Sequence, residues 1–435
     1  MARALSFGKL LTILSDTFGQ LPDSRTGNNG RYTICDAALG AFGVFFTQSR
    51  SFLAYQRDMQ QRKGRNNARS LFGIEQIPSD PQIRNLLDPI APVHLRAPFW
   101  TILALLEQEG RLASDYQFAG GWLCSLDGTQ YFSSTKIHCP DCTVAVRAET
   151  TWYSHTVLIP ALVMPGKAEV IVLEPEFITP QDGAEKQDCE RNAAKRWIMR
   201  NAAQFTGRRV TILADDLYCN QPFCELLLAQ GLDFILTCKP TSHTTLYEEV
   251  ELLAKAGGVA QIEDRRWTGK WYERRTYRYV NHVPLCADPK ALLVNWCELT
   301  VVNETTGEAL YHNAFATNHD LKEGTVKTIV TAGRTRWKIE NETNNVLKNH
   351  GYHLEHNFGH GQQHLASVLL MLILLAFLFH TVLQLYDQTY QRVRAALATR
   401  KTFFDDIRAL TRYWFFESWE HLLDFMFTQL ELVPH

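Results

Sequence analysis

The sequence predicts an α/β fold: a mixed sheet with a β-rich insertion, flanked by a helical N-terminal region and a helical C-terminal tail. Three observations lead there. From about residue 118, three strand-like runs follow one another, WLCSLDG, TVAVRAE and SHTVLIPALVMPG, each bounded by turn residues. Helix and strand patterns then alternate through KQDCERNAAKRWIMRNAAQF, RRVTILAD, NQPFCELLLAQ and GLDFILTCK, the order expected of a meander joined to parallel strands. Residues 241–330 break this alternation with two further strand-like runs, ALLVNWCELTVV and EALYHNAFATN, before helix returns in VKTIVTAGRTRWKIENETNNVLKNH. At 435 residues and 49.8 kDa the chain is long enough for about two or three units. We divide it into a helical N-terminal region (1–95), the first part of an α/β domain (118–240), a basic β-rich insertion (241–330), the last part of the α/β domain (331–385) and a helical tail (386–435).

Each element has its local reason. The opening MARALSFGKLLTILSDTFGQL is interrupted by Ser15, Asp16 and Thr17, which predicts an amphipathic helix rather than a signal peptide. Short helices follow, broken by PDSRTGNNG and IPSDP. Between them Arg57, Arg62, Lys63, Arg65 and Arg69 oppose Asp58 alone, as a solvated helix end or a contact to a DNA backbone. In the long polar helix Ala193, Ala194, Trp197, Ile198 and Ala202 form the packing face, and Gly207 ends it. The insertion interleaves Arg265, Arg266, Lys270, Arg274, Arg275 and Arg278 with Trp267, Trp271, Tyr272 and Tyr277, a basic and aromatic rim suited to DNA. Residues 361–385 carry no Asp, Glu, Lys or Arg, and ASVLLMLILLAFLFHTVLQL would span roughly 30 Å as a helix, about one bilayer core. His364, His380, Thr381 and Gln384 restrict the nearly unbroken apolar run to 365–379, so a helix buried on all sides is expected, with no stable membrane association.

Composition bounds the function. Hydrophobic residues make up 46% and charged residues 21%, which excludes the disordered, collagen-like and disulfide-scaffold classes. With Lys and Arg totalling 44 against 46 Asp and Glu, an anionic partner must be held by local clusters rather than by net charge. The 10 cysteines lack the dense, even spacing of a disulfide framework and point to a reducing, cytoplasmic interior.

Three acids stand at chemically telling places: Asp127 at the end of WLCSLD, Asp215 at the end of VTILAD, and Glu340 on a helix after the insertion. Neighbouring strands can bring terminal carboxylates together, and a helix over the strand ends can add a third. Such carboxylates repel one another unless divalent cations lie between them. Two Mg²⁺ or Mn²⁺ ions suit these hard oxygen donors and phosphodiester chemistry. Taken alone the pattern also fits a turn Asp-Gly and a solvent-facing Glu. Asp216 adds a second carboxylate at the middle position, one of the pair pointing inward and the other free to cap the next helix.

The strings DGTQYFSS, ILADDLY and RWKIENETNNVLKNHGYHLEHNFG resemble the catalytic motifs of the DDE transposases, specifically the insertion-sequence 4 group with its Tyr, Arg, Glu, Lys signature. The likeness covers about 118–360. It implies an RNase H-like core with a β-strand insertion before the third acid, Mg²⁺ binding, and cutting and rejoining of element ends in double-stranded DNA. Carried over by position, the catalytic and metal-binding acids are Asp127, Asp215 and Glu340, and Arg336 and Lys348 contact phosphates near the scissile bond, with Lys239 also within reach of DNA. Trp337 is expected to anchor the core. Two departures stand out: Gly333 occupies the place of the family's Tyr, and Lys348 falls one residue beyond the usual Glu-to-Lys spacing. Either Glu342 competes for the third role or the helix shifts by one residue; the Arg336–Glu340 spacing favours Glu340. A local ion pair between Arg336 and Glu340 is the plainer alternative to a phosphate contact.

Cys139 and Cys142 form a Cys-x-x-Cys pair that suits structural zinc, with His138, Cys124 and His155 as candidate further ligands, or else two reduced thiols on a hairpin. His350, His353, His356, His360 and His364 are interrupted by Gly351 and Gly359 and read as polar DNA-facing or supporting groups. The leading expectation is a bacterial, nucleoid-associated cut-and-paste transposase acting as a homodimer on DNA. The alternatives are an RNase H-like nuclease without strand transfer and a DNA-binding protein derived from a transposase.

Overall fold

The computed structural model describes residues 5–26, 30–60, 66–180 and 186–433, with the backbone alone for 186–189. Of the basic N-terminal group, Arg62, Lys63 and Arg65 lie outside the described residues. Helices α1 (Phe7–Phe18), α2 (Ile34–Phe46), α3 (Phe52–Met59), α4 (Asn67–Phe72), α5 (Asp80–Leu87), α6 (Ala97–Gln108) and α7 (Arg111–Asp115) make the N-terminal region. Ser6, Thr33, Ser51 and Asn66 each accept a backbone N–H at a helix start, so short polar residues set where α1 to α4 begin.

The described residues form an 11-stranded sheet. Strands β1 (Gly121–Ser134), β2 (Thr143–Arg147) and β3 (Thr150–Val163) are the predicted meander, and two short strands, β4 (Ile171–Val172) and β5 (Glu176–Ile178), pair with β3. Helix α8 (Lys186–Asn201) leads to β6 (Arg209–Ala214), and α9 (Gln221–Ala229) to β7 (Asp233–Thr237). β1, β6 and β7 are parallel neighbours, as the alternation of helix and strand predicts. After α10 (Thr244–Lys255) come β8 (Ala260–Trp267), β9 (Tyr272–Pro284), β10 (Leu293–Asn303) and β11 (Ala309–Thr317). Because β11 pairs antiparallel with β7, these four strands extend the same sheet, whose order is β2-β3-β1-β6-β7-β11-β10-β9-β8. This is an RNase H-like mixed core with a β-rich insertion and helical regions at both ends.

Helix α11 (Glu323–Thr335) packs on β7, β9 and β10 and is followed by a π-helical turn at Ile339–Asn344, then α12 (Asn345–Asn349). The apolar run becomes α13 (Leu365–Tyr386), the one described helix that is by itself long and apolar enough to cross a membrane. Yet 89% of its most apolar window is buried within the chain, against α1, α2, α5, β4 and α14 (Gln388–Ala396). Phe379 meets Phe7 and Phe42 edge-on, and Tyr352 bonds His380 at 2.5 Å. The tail continues as α15 (Arg400–Tyr413) and α16 (Trp419–Gln429) and folds back onto the N-terminal helices. There the Asn67 amide donates to the Thr411 and Trp414 carbonyls, each at 2.8 Å, and accepts from the Phe416 N–H at 3.0 Å.

Candidate active site

Strand register places the first two acids. β1 and β6 run parallel, with Ser125 opposite Leu213, so Asp127 and Asp215 each lie two residues further on, level with one another beyond the last paired positions. Both follow apolar strand residues, and both sit at the carboxyl end of the parallel pair, where sites form in such sheets. Asp215 also caps the short helical turn Asp216–Tyr218, accepting the Leu217 N–H at 2.9 Å. Asp216 turns away from Asp127: it accepts the Lys239 N–H at 2.7 Å and the Ser242 hydroxyl at 2.5 Å, holding the β7–α10 turn.

The third acid comes from the π-helical turn. Burial pushes the Asp127 carboxyl up to about 7, with the neighbouring Glu340 charge as the next cause, opposed by Arg336 and reinforced by Glu190 and Asp215. Burial raises Asp215 as well, against the Leu217 N–H and the Arg336 and Lys239 charges. Arg336 therefore acts on both aspartates, and it pairs with Glu340 at 2.8 Å. Asn344, at the end of the π-helical turn, donates to Asp127 at 2.7 Å. Glu342 instead lines a cavity with Glu169, Phe377, Arg394 and Arg400, so Glu340 is the acid that bears on Asp127. Between Glu340 and Lys348 the chain runs through this π turn, which holds one more residue per turn than an α turn. Gly333 also has a steric reason: a Cβ there would lie 2.7 Å from the Phe315 ring and 3.0 Å from Ile235, leaving no room for the signature Tyr.

A fourth carboxylate was not anticipated from sequence. Glu190 on α8 accepts the Tyr218 hydroxyl at 2.9 Å, and Gly128 lets it approach, because a Cβ there would lie 2.6 Å from the Glu190 carboxyl carbon. The Gly after Asp127 and the Tyr after Asp215 were the signals, but neither reveals which acid they face. Trp337 corrects the expectation of a core anchor: it is 56% exposed. Lys239 is exposed on the Asp215 side, and Lys348 pairs with Glu355 at 2.8 Å.

The insertion residues do not share one face. In the β8–β9 register Arg265 opposes Arg274 and Gln261 opposes Arg278, whereas Arg266 opposes Glu273 and Asp264 opposes Arg275. Since side chains alternate along a strand, Arg265, Arg274 and Arg278 lie on one face and Arg266 and Arg275 on the other. Arg265 stacks 3.8 Å above Tyr272, Arg275 pairs with Glu273 at 2.7 Å, and Arg278 pairs with Glu298 at 3.2 Å. Lys270 is exposed in the β8–β9 connection.

Two groups of three or more metal-ligating atoms gather tightly among the described residues: Cys139, Cys142, His155 and His360, and Cys219, Cys238 and His243. Each set of donors lies close enough together to hold a metal ion. Of the ligands considered with the Cys-x-x-Cys pair, His155 joins it, while His138 is exposed and Cys124 is buried elsewhere in β1. His360 corrects its reading as a DNA-facing or supporting group; it is buried in the cluster. The carboxylate trio is more open, with Glu340 turned onto Arg336, but its all-oxygen donors and the raised Asp127 carboxyl fit a hard divalent cation.

No curated protein matches the chain. Residues 183–378 match the family model described as "Transposase DDE domain", a span that includes Asp215 and Glu340 and begins after Asp127. Together with the RNase H-like core, this match supports a general transposase-like or nuclease-like activity and a broad assignment of the chain to the DDE transposases.

Proposed function

We propose that the chain is a cut-and-paste DNA transposase of the insertion-sequence 4 type, which hydrolyses a phosphodiester at each element end and transfers the freed 3′ end to target DNA. The observation that carries this reading is the level placement of Asp127 and Asp215 on adjacent parallel strands, with Glu340 and Arg336 beside them. Magnesium or manganese held by Asp127, Asp215 and Glu340 would supply activation of the attacking oxygen and charge stabilisation at the leaving one. Arg336, paired with Glu340 at 2.8 Å, offers a planar fork suited to two phosphate oxygens beside the acids. Lys239, exposed near Asp215, and Lys348 supply further positive charge to the backbone of double-stranded DNA, and two chains would act on paired ends. A cytoplasmic, nucleoid-associated location follows from that substrate.

The test is incubation with DNA carrying the sequences that flank the gene, followed by mapping of cleavage and joining. Cleavage and joining are expected with Mg²⁺, and Asp127→Ala, Asp215→Ala or Glu340→Ala should abolish both while retaining most DNA binding. Cleavage without joining would leave a nuclease of the same core. Full Mg²⁺-dependent cleavage by a folded Asp215→Ala protein would reject the assignment.

A further inference from the structure

The Cys-x-x-Cys pair lies in the β1–β2 connection. The Cys142 N–H donates to the Cys139 carbonyl at 3.2 Å and the Cys139 N–H to the Cys142 sulfur at 3.4 Å, which folds both thiols to one side. His155 reaches them from β3, opposite Phe132 of β1. His360 arrives from the segment between α12 and α13, 205 residues after His155. The two sulfurs are 3.9 Å apart, and His155 Nε2 lies 3.4 Å from each. His360 Nε2 lies 3.6 Å from the Cys142 sulfur and 3.1 Å from His155 Nε2, and all four atoms fall within 4.8 Å of one another.

A tetrahedral zinc ion, with bonds of about 2.0–2.1 Å to nitrogen and about 2.3 Å to sulfur, requires ligand-to-ligand edges of about 3.3–3.8 Å. The edges above cluster around that range. We propose that Cys139, Cys142, His155 and His360 form a structural Cys₂His₂ zinc site that ties the β1–β2 connection and β3 to the segment entering α13.

Three further observations agree. His360 Nδ1 lies 3.0 Å from the Gly361 carbonyl; a proton on Nδ1 is donated there, which leaves the Nε2 lone pair facing the sulfurs. The sulfurs are far beyond the roughly 2.05 Å of a disulfide. Cys142, His155 and His360 are buried, and Phe132 and Tyr131 cover the two imidazoles at ring distances of 4.3 Å and 5.6 Å. A closed site with four protein ligands is the structural kind, with no position open for substrate. Its thiolate and imidazole donors also select a softer ion than the carboxylates around Asp127 do. The site links β1, which carries Asp127, to the segment that follows Glu340, so it braces the two acid-bearing elements without taking part in their chemistry.

The test uses the untagged full-length chain purified without chelator. Elemental analysis should find one zinc ion per chain. After removal of the zinc and addition of Co²⁺, thiolate-to-cobalt charge-transfer absorption and tetrahedral ligand-field bands should appear. Cys139→Ser with Cys142→Ser, and separately His360→Ala, should lose the zinc and the bands, whereas Asp127→Asn should keep both and so separate this site from the carboxylates. If the double cysteine variant does not fold, His360→Ala decides, since it leaves Cys219, Cys238 and His243 untouched and should still lose the zinc and the bands. A chain with no zinc and no cobalt spectrum, full zinc retention by His360→Ala, or a Cys139–Cys142 disulfide in protein purified under reducing conditions would overturn the proposal.

Discussion

Asp127 concentrates the electrostatics of the site in one side chain. Burial and the Glu340, Glu190 and Asp215 charges raise its folded-state value from 3.8 to about 7, while Arg336 opposes them. A raised carboxyl holds its proton more tightly in the folded chain, so the stability it contributes is complete below the unfolded value and is lost as pH rises through about 7. In chelator, the melting temperature of the unaltered protein should therefore fall between about pH 5 and about pH 8 by more than that of Asp127→Asn, and Mg²⁺ should restore the loss only in the unaltered protein. Equal pH dependence of the two proteins would show that the Asp127 charge is not under strain. Gly128 and Gly333 belong to the same scale: each occupies a place where a side chain would collide, with Glu190 in one case and with Phe315 in the other.

Among the elements, the β8–β9 ribbon and α13 give opposite lessons about pattern. The six basic residues are close in sequence, but strand alternation divides them, so Arg274 and Arg275 cannot line one groove. In the proposed DNA-binding role, Arg265→Ala with Arg274→Ala should flatten the slope of log affinity against log salt by about two, and Arg274→Ala with Arg275→Ala by only about one. Equal slopes for both double variants and the unaltered protein would remove this ribbon from the DNA interface. For α13, burial on every side makes each core leucine costly to shorten. Leu374 is fully buried, and Leu374→Ala should lower unfolding stability by about 2–5 kcal/mol in denaturant titration. A change below about 0.5 kcal/mol would mean that this face is not packed against protein.

Across the whole molecule, one sheet runs from β2 to β8, and the N- and C-terminal helices close together over α13. Asn67 holds that closure, since its side chain satisfies two carbonyls and one N–H of the tail in a buried place. Arg412 adds an ion pair to Asp58 at 2.7 Å. Asn67→Ala leaves those backbone groups without partners and should cost about 1–3 kcal/mol, with amide exchange rising first around the α15–α16 connection. Faster exchange spread evenly over the sheet would instead assign Asn67 no special part in docking the tail.

The sequence by itself determined the meander and the alternation of helix and strand after it, the apolar core helix and the acids that close the apolar runs; β1 itself continues past Asp127 to Ser134. These are encoded locally, in periodicity, turn residues and the place where an apolar run stops. Only the tertiary structure decided which distant groups meet. It brought Glu190 to Gly128 and His360 to the Cys139–Cys142 turn, turned Glu342 away from Asp127, exposed Trp337, and joined the insertion to the edge of the central sheet. The physical reason is that such meetings depend on strand order and on how a loop packs hundreds of residues away. The π-helical turn at Ile339–Asn344 belongs to the second group: it packs against β1, and its longer turn could not be read from the chain.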